Sequence, residues 1–134
     1  MRLKTNGKPM NSPLGRSFLA GFAGLIVYGG WAVYANASHG DTVALRAGVV
    51  QGSYSLLLTF VMTLATEGLY RALSLVYGGL YWLMMIVCLS LFTTAYGIHY
   101  LVGTPEILMT ILPGFVIGSI YTLVYVLGLK RHVQ

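Results

Sequence analysis

Between Arg16 and Lys130 the chain carries only five charged side chains, Asp41, Arg46, Glu67, Arg71 and Glu106, with long uncharged apolar runs between them. Coiled as helices, runs of about 20 residues match the ~30 Å hydrocarbon core of a bilayer. In hydrocarbon every backbone N–H and C=O must find its partner within the protein, and a helix does this within one segment. Composition points the same way, since 57% of the 134 residues are hydrophobic and 8% charged, against roughly a quarter charged in soluble domains. A water-surrounded core in so short a chain cannot hide that much apolar surface. The expected fold class is all-α, a polytopic membrane protein with four transmembrane helices over 17–37, 43–69, 75–100 and 105–128. These form one domain, 17–129, between a basic tail, 1–16, and a basic end, 130–134.

The net charge of +5 does not point to nucleic acid, because of where it sits. Arg2, Lys4, Lys8 and Arg16 precede the first span, and Lys130 and Arg131 follow the last. Basic residues that flank apolar spans act as an orientation signal. An even number of spans puts both termini on one side, and the first and third connections hold only Arg46. Both termini are therefore expected in the cytoplasm, with His39, Asp41, His99 and Glu106 outside, in a membrane of the bacterial inner-membrane kind. Cys88 is the single cysteine, so no disulfide forms within the chain.

Local signals mark the span ends. Ser12-Pro13 reads as a helix cap and first-turn pair. Ala35-Asn36-Ala37 after a basic start resembles a signal-peptidase site, but the apolar run is long and interrupted by Gly29-Gly30, so a retained helix is expected. Asp41 or Thr42 is expected to cap the second helix, and Thr104-Pro105-Glu106 to start the fourth with cap, proline and acid. Glu67 and Arg71 are spaced to pair. Trp31, Tyr34, Tyr70, Tyr77, Tyr81, Trp82, Tyr96 and Tyr100 sit where aromatic side chains favour the interface. On the third span Ser90, Thr93, Thr94 and Gly97 make a small, polar strip.

The second span carries the richest pattern. Gln51, Ser55, Thr59 and Thr63 recur every four residues as a polar ribbon on one helix face. Gly48 and Gly52 form a smooth patch for a close helix neighbour, and Gly114 and Gly118 repeat that spacing in the fourth span. Tyr28, Tyr54 and Tyr121 lie well inside spans, where a phenol needs a hydrogen-bond partner. Together Gln51, Tyr54, Ser55, Thr59, Ser119, Tyr121 and Thr122 predict a mildly polar, uncharged groove, or else interhelical glue. Arg46 either holds an anionic headgroup at the outer mouth of that groove, or snorkels to the outer headgroups or pairs with Asp41. Two glycine faces exceed the needs of one internal crossing, so a homo-oligomer or a partner membrane protein is expected.

A shift of 66 residues lays Gly48, Val50, Gly52, Ser53 and Leu57 onto Gly114, Val116, Gly118, Ser119 and Leu123, which suggests two repeated helical hairpins. The alternative is chance coincidence of residues common in apolar helices. Established catalytic motifs are missing: no HExxH, phosphate loop, dinucleotide fingerprint, nucleophile elbow or CxxC occurs. The three acids, Asp41, Glu67 and Glu106, lie near span ends. No enzyme, cofactor or metal site is expected, and His39, Asp41, His99 and Glu106 serve loop polarity or capping rather than metal binding.

Length, four spans, a short basic C-terminus and the glycine-bearing segment LVGTPEILMTILPGFVIGSIYTLVYVLGLKR resemble the GtrA-like family of small membrane proteins. That resemblance implies a role in moving polyprenyl-phosphate-linked sugars across a membrane. The functional expectation is a small integral membrane protein that translocates or handles a lipid or lipid-linked intermediate. The alternative is a non-catalytic subunit or assembly partner of a larger membrane complex.

Overall fold

A computed structural model describes residues 13–133. Four α-helices follow one another: α1 (Pro13–Asn36), α2 (Asp41–Leu73), α3 (Gly79–Val102) and α4 (Ile107–Val133), with a 3₁₀ turn at Ala37–His39. Four stretches are long and apolar enough to cross a membrane, Phe18–His39 (α1 with the 3₁₀ turn), Asp41–Met62, Gly79–Val102 and Ile107–Gly128. The protein is an all-α, four-span membrane protein. Ser12 and the basic residues Arg2, Lys4 and Lys8 lie outside the described residues.

α1 and α2 form the tightest pair, and glycines are the reason. A Cβ at Gly52 would lie 2.8 Å from the Leu25 carbonyl oxygen, and one at Gly48 would lie 2.9 Å from that of Gly29. Backbone therefore meets backbone, the approach that small residues permit in lipid, where dispersion and hydrogen bonds replace the hydrophobic effect as the packing force. The other three helices pack through larger side chains. Leu83, Val87, Leu91 and Val126 are buried together, with Leu58, Met62 and Phe115 against them.

The bundle has two ends. One holds the α1–α2 and α3–α4 connections, where Arg46 reaches the Gly103 carbonyl at 3.4 Å and His39 meets Glu106 at 3.0 Å. The other holds the α2–α3 turn and the ends of the chain, where Tyr125 donates to Glu67 at 2.5 Å and Arg71 lies 3.9 Å from Glu67. These are called the connection end and the terminal end. Trp31, Asn36 and His39 of α1 and its turn all bond to α4 or its approach at the connection end.

Several helix limits differ from expectation. α2 begins at Asp41, but Gly40 (φ 96°) is its cap and neither Asp41 nor Thr42 makes a capping bond. It also runs on to Leu73, about 50 Å in all, which carries Glu67 and Arg71 beyond the ~30 Å core. α3 starts at Gly79 rather than 75, after a turn that needs Gly78 at φ 69°. Thr104 does not cap α4. Its hydroxyl bonds to His99 Nδ1 at 2.8 Å, and the Glu106 N–H is taken instead by Asn36 Oδ1 at 3.1 Å. A side chain from another helix thus does the capping, which the 104–106 triplet alone does not reveal.

Candidate functional site

α1 and α4 are joined at the connection end and part below it. Four side-chain bonds make the joint: Trp31 Nε1 to the Met109 carbonyl at 2.7 Å, Asn36 Nδ2 to Thr110 Oγ1 at 2.8 Å, Glu106 N–H to Asn36 Oδ1 at 3.1 Å, and His39 with Glu106 at 3.0 Å. Beneath it lies a cavity of about 610 Å³, bounded by all four helices. On α1 its wall runs from Ala20 to Tyr28, and on α4 from Ile111 to Thr122. Val27, Ile117 and Tyr121 line it and are also more than half exposed, so the gap between α1 and α4 opens sideways toward lipid. Its size falls in the range of about 300–1,000 Å³ usual for small-molecule sites. None of its lining residues is charged.

The inner end of the cavity is a buried polar layer. His99 is only 1% exposed, with its Nδ1 2.8 Å from Thr104 Oγ1 and its Nε2 2.8 Å from Gln51 Oε1. One arrangement satisfies all three groups: Thr104 donates to Nδ1, and the Nε2–H of a neutral imidazole donates to Gln51. The reverse tautomer would leave the buried Thr104 hydroxyl proton without an acceptor. The amide nitrogen of Gln51 is then left over. It packs over Gly114, where a Cβ would lie 3.2 Å away, and it makes no hydrogen bond among the described residues. Yet no fully buried side-chain N or O among them lacks a partner. The amide nitrogen is therefore reached through the cavity that Gln51 lines.

The hydroxyl groups of the ribbon are spent closer to home. Ser55 donates to the Gln51 carbonyl (2.8 Å), Thr59 to that of Ser55 (2.9 Å) and Thr122 to that of Gly118 (2.9 Å). Such back-bonding hides the donors from hydrocarbon and leaves the oxygen lone pairs facing the cavity. Tyr54 donates to Thr94 at 2.8 Å, since the Thr94 proton already serves the Ser90 carbonyl at 2.6 Å. Tyr28 and Tyr121 also line the cavity.

Gln51, Tyr54, Ser55, Thr59, Tyr121, Thr122, Gly114 and Gly118 are brought together around this one space. Arg46 and Ser119 are not. Arg46 lies five residues before Gln51, about 140° around the helix, and its guanidinium turns to the α3 C-terminus at Gly103 instead of guarding a mouth. Ser119 faces α3, with Cys88 Sγ 3.5 Å from its hydroxyl, which itself donates to the Phe115 carbonyl. Gly48 and Gly52 are consumed by α1, whereas Gly114 and Gly118 line the cavity, where a Cβ would meet only Gln51 Nε2 and Leu91 respectively. The two pairs thus do different work, although a 66-residue shift superposes them in sequence. His39 and Glu106 pair, but His99 is buried elsewhere, and no group of three His, Cys, Asp or Glu among the described residues is placed to hold a metal.

Asn36, Thr110 and Pro113 escaped sequence reasoning. Asn36 is fully buried, which an isolated asparagine near a span end announces only as a polar residue needing partners. Pro113 was the readable signal. A proline inside a helix frees the carbonyl four residues earlier, here that of Met109, the acceptor of Trp31.

Compared with known proteins, the chain matches no family model, no curated protein and no solved structure. The geometry alone defines what the site can do. An uncharged, mostly apolar space that opens to lipid and closes on a hydrogen-bonding amide can hold part of an amphiphile.

Proposed function

We propose that this protein is a small integral membrane protein that handles a lipid or lipid-linked intermediate, taking it sideways from the bilayer through the gap between α1 and α4. The observation that supports this reading is the cavity of about 610 Å³, uncharged throughout and flanked by residues that face lipid. An inorganic ion would find no charged ligand there. An apolar chain would replace lipid contacts outside with protein contacts inside. The architectural likeness to GtrA-like proteins supports a polyprenyl-phosphate type of cargo, whose phosphate would stay outside the cavity. Arg71 and Lys130 are exposed at the terminal end, where such a group would find positive charge.

Substituting Gly118 by leucine tests the reading. Gly118 lines the cavity and has ordinary room for a Cβ, with Leu91 at 3.5 Å, so a longer side chain fills the space without breaking the bundle. Lipid co-purifying in nanodiscs, counted by native mass spectrometry, should fall severalfold in Gly118→Leu with helicity retained. Unchanged lipid occupancy would count against the cavity as a lipid site. Loss of self-association without loss of lipid would instead favour the assembly-partner reading. The exposed Ser90, Thr93 and open Gly97 on α3 offer that second reading a surface.

A further inference from the structure

Resting on the lipid-handling reading, we propose that the closed end of the cavity receives the uncharged, hydrogen-bond-accepting end of a neutral lipid, with Gln51 as its donor. Gln51 is 2% exposed, and its carbonyl oxygen is committed to His99. The amide nitrogen that remains is a donor only, with two protons, and it faces the cavity. Against a bare hydrocarbon chain it would stay unsatisfied, and an unpaired amide in an apolar setting is costly. The complement of a buried donor is an acceptor. Tyr28 and Tyr121 add hydroxyls on the same walls that make no hydrogen bond among the described residues and can donate in the same sense.

Position and charge narrow the class further. Gln51 lies at the closed end of the cavity, beneath the α1–α4 joint and separated from Thr104 of the α3–α4 connection only by the His99 ring. No lining residue is charged, so an anionic or zwitterionic headgroup there would lose hydration without gaining a counter-charge. The α1–α4 joint closes the cavity above Gln51, so a bilayer glycerolipid could bring an ester to the amide only by drawing its headgroup into the uncharged cavity. The acceptor must therefore be the terminal polar group of the ligand. A ring carbonyl at the end of an isoprenoid chain, as in an isoprenoid quinone, has that form. A long-chain ketone shares the same chemistry.

Three probes with equal isoprenoid tails separate the possibilities: a quinone, the polyprenyl phosphate and the bare hydrocarbon, each titrated into nanodisc-embedded protein by native mass spectrometry. The quinone should bind about fivefold or more tighter than the hydrocarbon, the value of one net hydrogen bond. With a ¹³C-labelled carbonyl, its infrared stretch should move to lower wavenumber on binding. Gln51→Leu should remove both the preference and the shift. Because that variant also strips His99 of a partner, Gly114→Ala is the second probe. Its Cβ, 3.2 Å from the amide nitrogen, displaces the donor by a few tenths of an ångström while leaving the polar layer its partners. It should reduce the ratio of quinone to hydrocarbon affinity. A quinone that binds Gln51→Leu as tightly as wild type, or with an unshifted carbonyl band, overturns the proposal. So does a phosphate that outcompetes the quinone. If none of the three binds at all, the lipid-handling reading falls with it, whereas equal binding of all three defeats only the present inference.

Discussion

Trp31 donates its indole N–H, at 2.7 Å, to the Met109 carbonyl, the acceptor that Pro113 leaves without a helical partner four residues on. Two sequence features that look unrelated, an interfacial tryptophan and a proline in a span, are thus halves of one joint between α1 and α4. Because the joint sits at the connection end, the helices are held there and leave the cavity open below it.

A double-mutant cycle tests this coupling. Trp31→Phe should cost about 0.6–1.5 kcal/mol of stability in bicelles, because it orphans a carbonyl in hydrocarbon. In a Pro113→Ala background the helix supplies its own N–H to Met109, so the same change should cost measurably less. Additive effects would show that the tryptophan acts through packing alone.

Asn36→Ala removes bonds to Thr110, the Glu106 N–H and the Ala32 carbonyl together. Spin labels at Val27→Cys and Ile117→Cys, both exposed beside the opening, should report a broader distance distribution across the gap in a Cys88→Ser background. An unchanged distribution would mean that the other bonds of the joint hold the helices alone.

The glycines should divide sharply by position. Gly52→Leu places a side chain into the Leu25 backbone and should prevent α1 from packing on α2, a loss of several kcal/mol or outright misfolding. Gly68→Ala and Gly128→Ala have open space around the new Cβ and lie within helices, so each should be neutral or stabilising by up to about 1 kcal/mol. Similar destabilisation at all three positions would contradict the backbone contact at Gly52.

Orientation is testable by labelling. With the termini expected in the cytoplasm by the distribution of Lys and Arg, a membrane-impermeant thiol reagent added outside cells should modify Ser38→Cys in a Cys88→Ser background and leave Ser74→Cys untouched. Both positions are exposed and lie at opposite ends of the bundle. The opposite pattern would invert the assignment.

Arg46→Ala gives a control on the site. Its guanidinium bonds to Gly103 and lies outside the cavity lining, so lipid occupancy in nanodiscs should stay within a factor of about two of wild type, as expected of an exposed pair. A large drop would restore a headgroup role that the geometry does not supply.

Charge spacing and apolar length determined the four helices of this protein, because a backbone in hydrocarbon has few other ways to satisfy its polar groups. Four-residue periodicity likewise determined that Gln51, Ser55 and Thr59 share a face, since helical geometry is local. Only the tertiary structure decided what that face meets. Gly48 and Gly52 could have served a second chain; packing against Leu25 and Gly29 spends them inside the first. Arg46 looked like a gatepost because it is near Gln51 in sequence, but five residues turn it toward α3. Thr104 had every mark of a cap and instead orients His99, while Asn36, from 70 residues away, takes the N–H of Glu106. Side chains with several possible partners are settled by which helices lie beside them, and that information resides in contacts between distant segments rather than in any one of them.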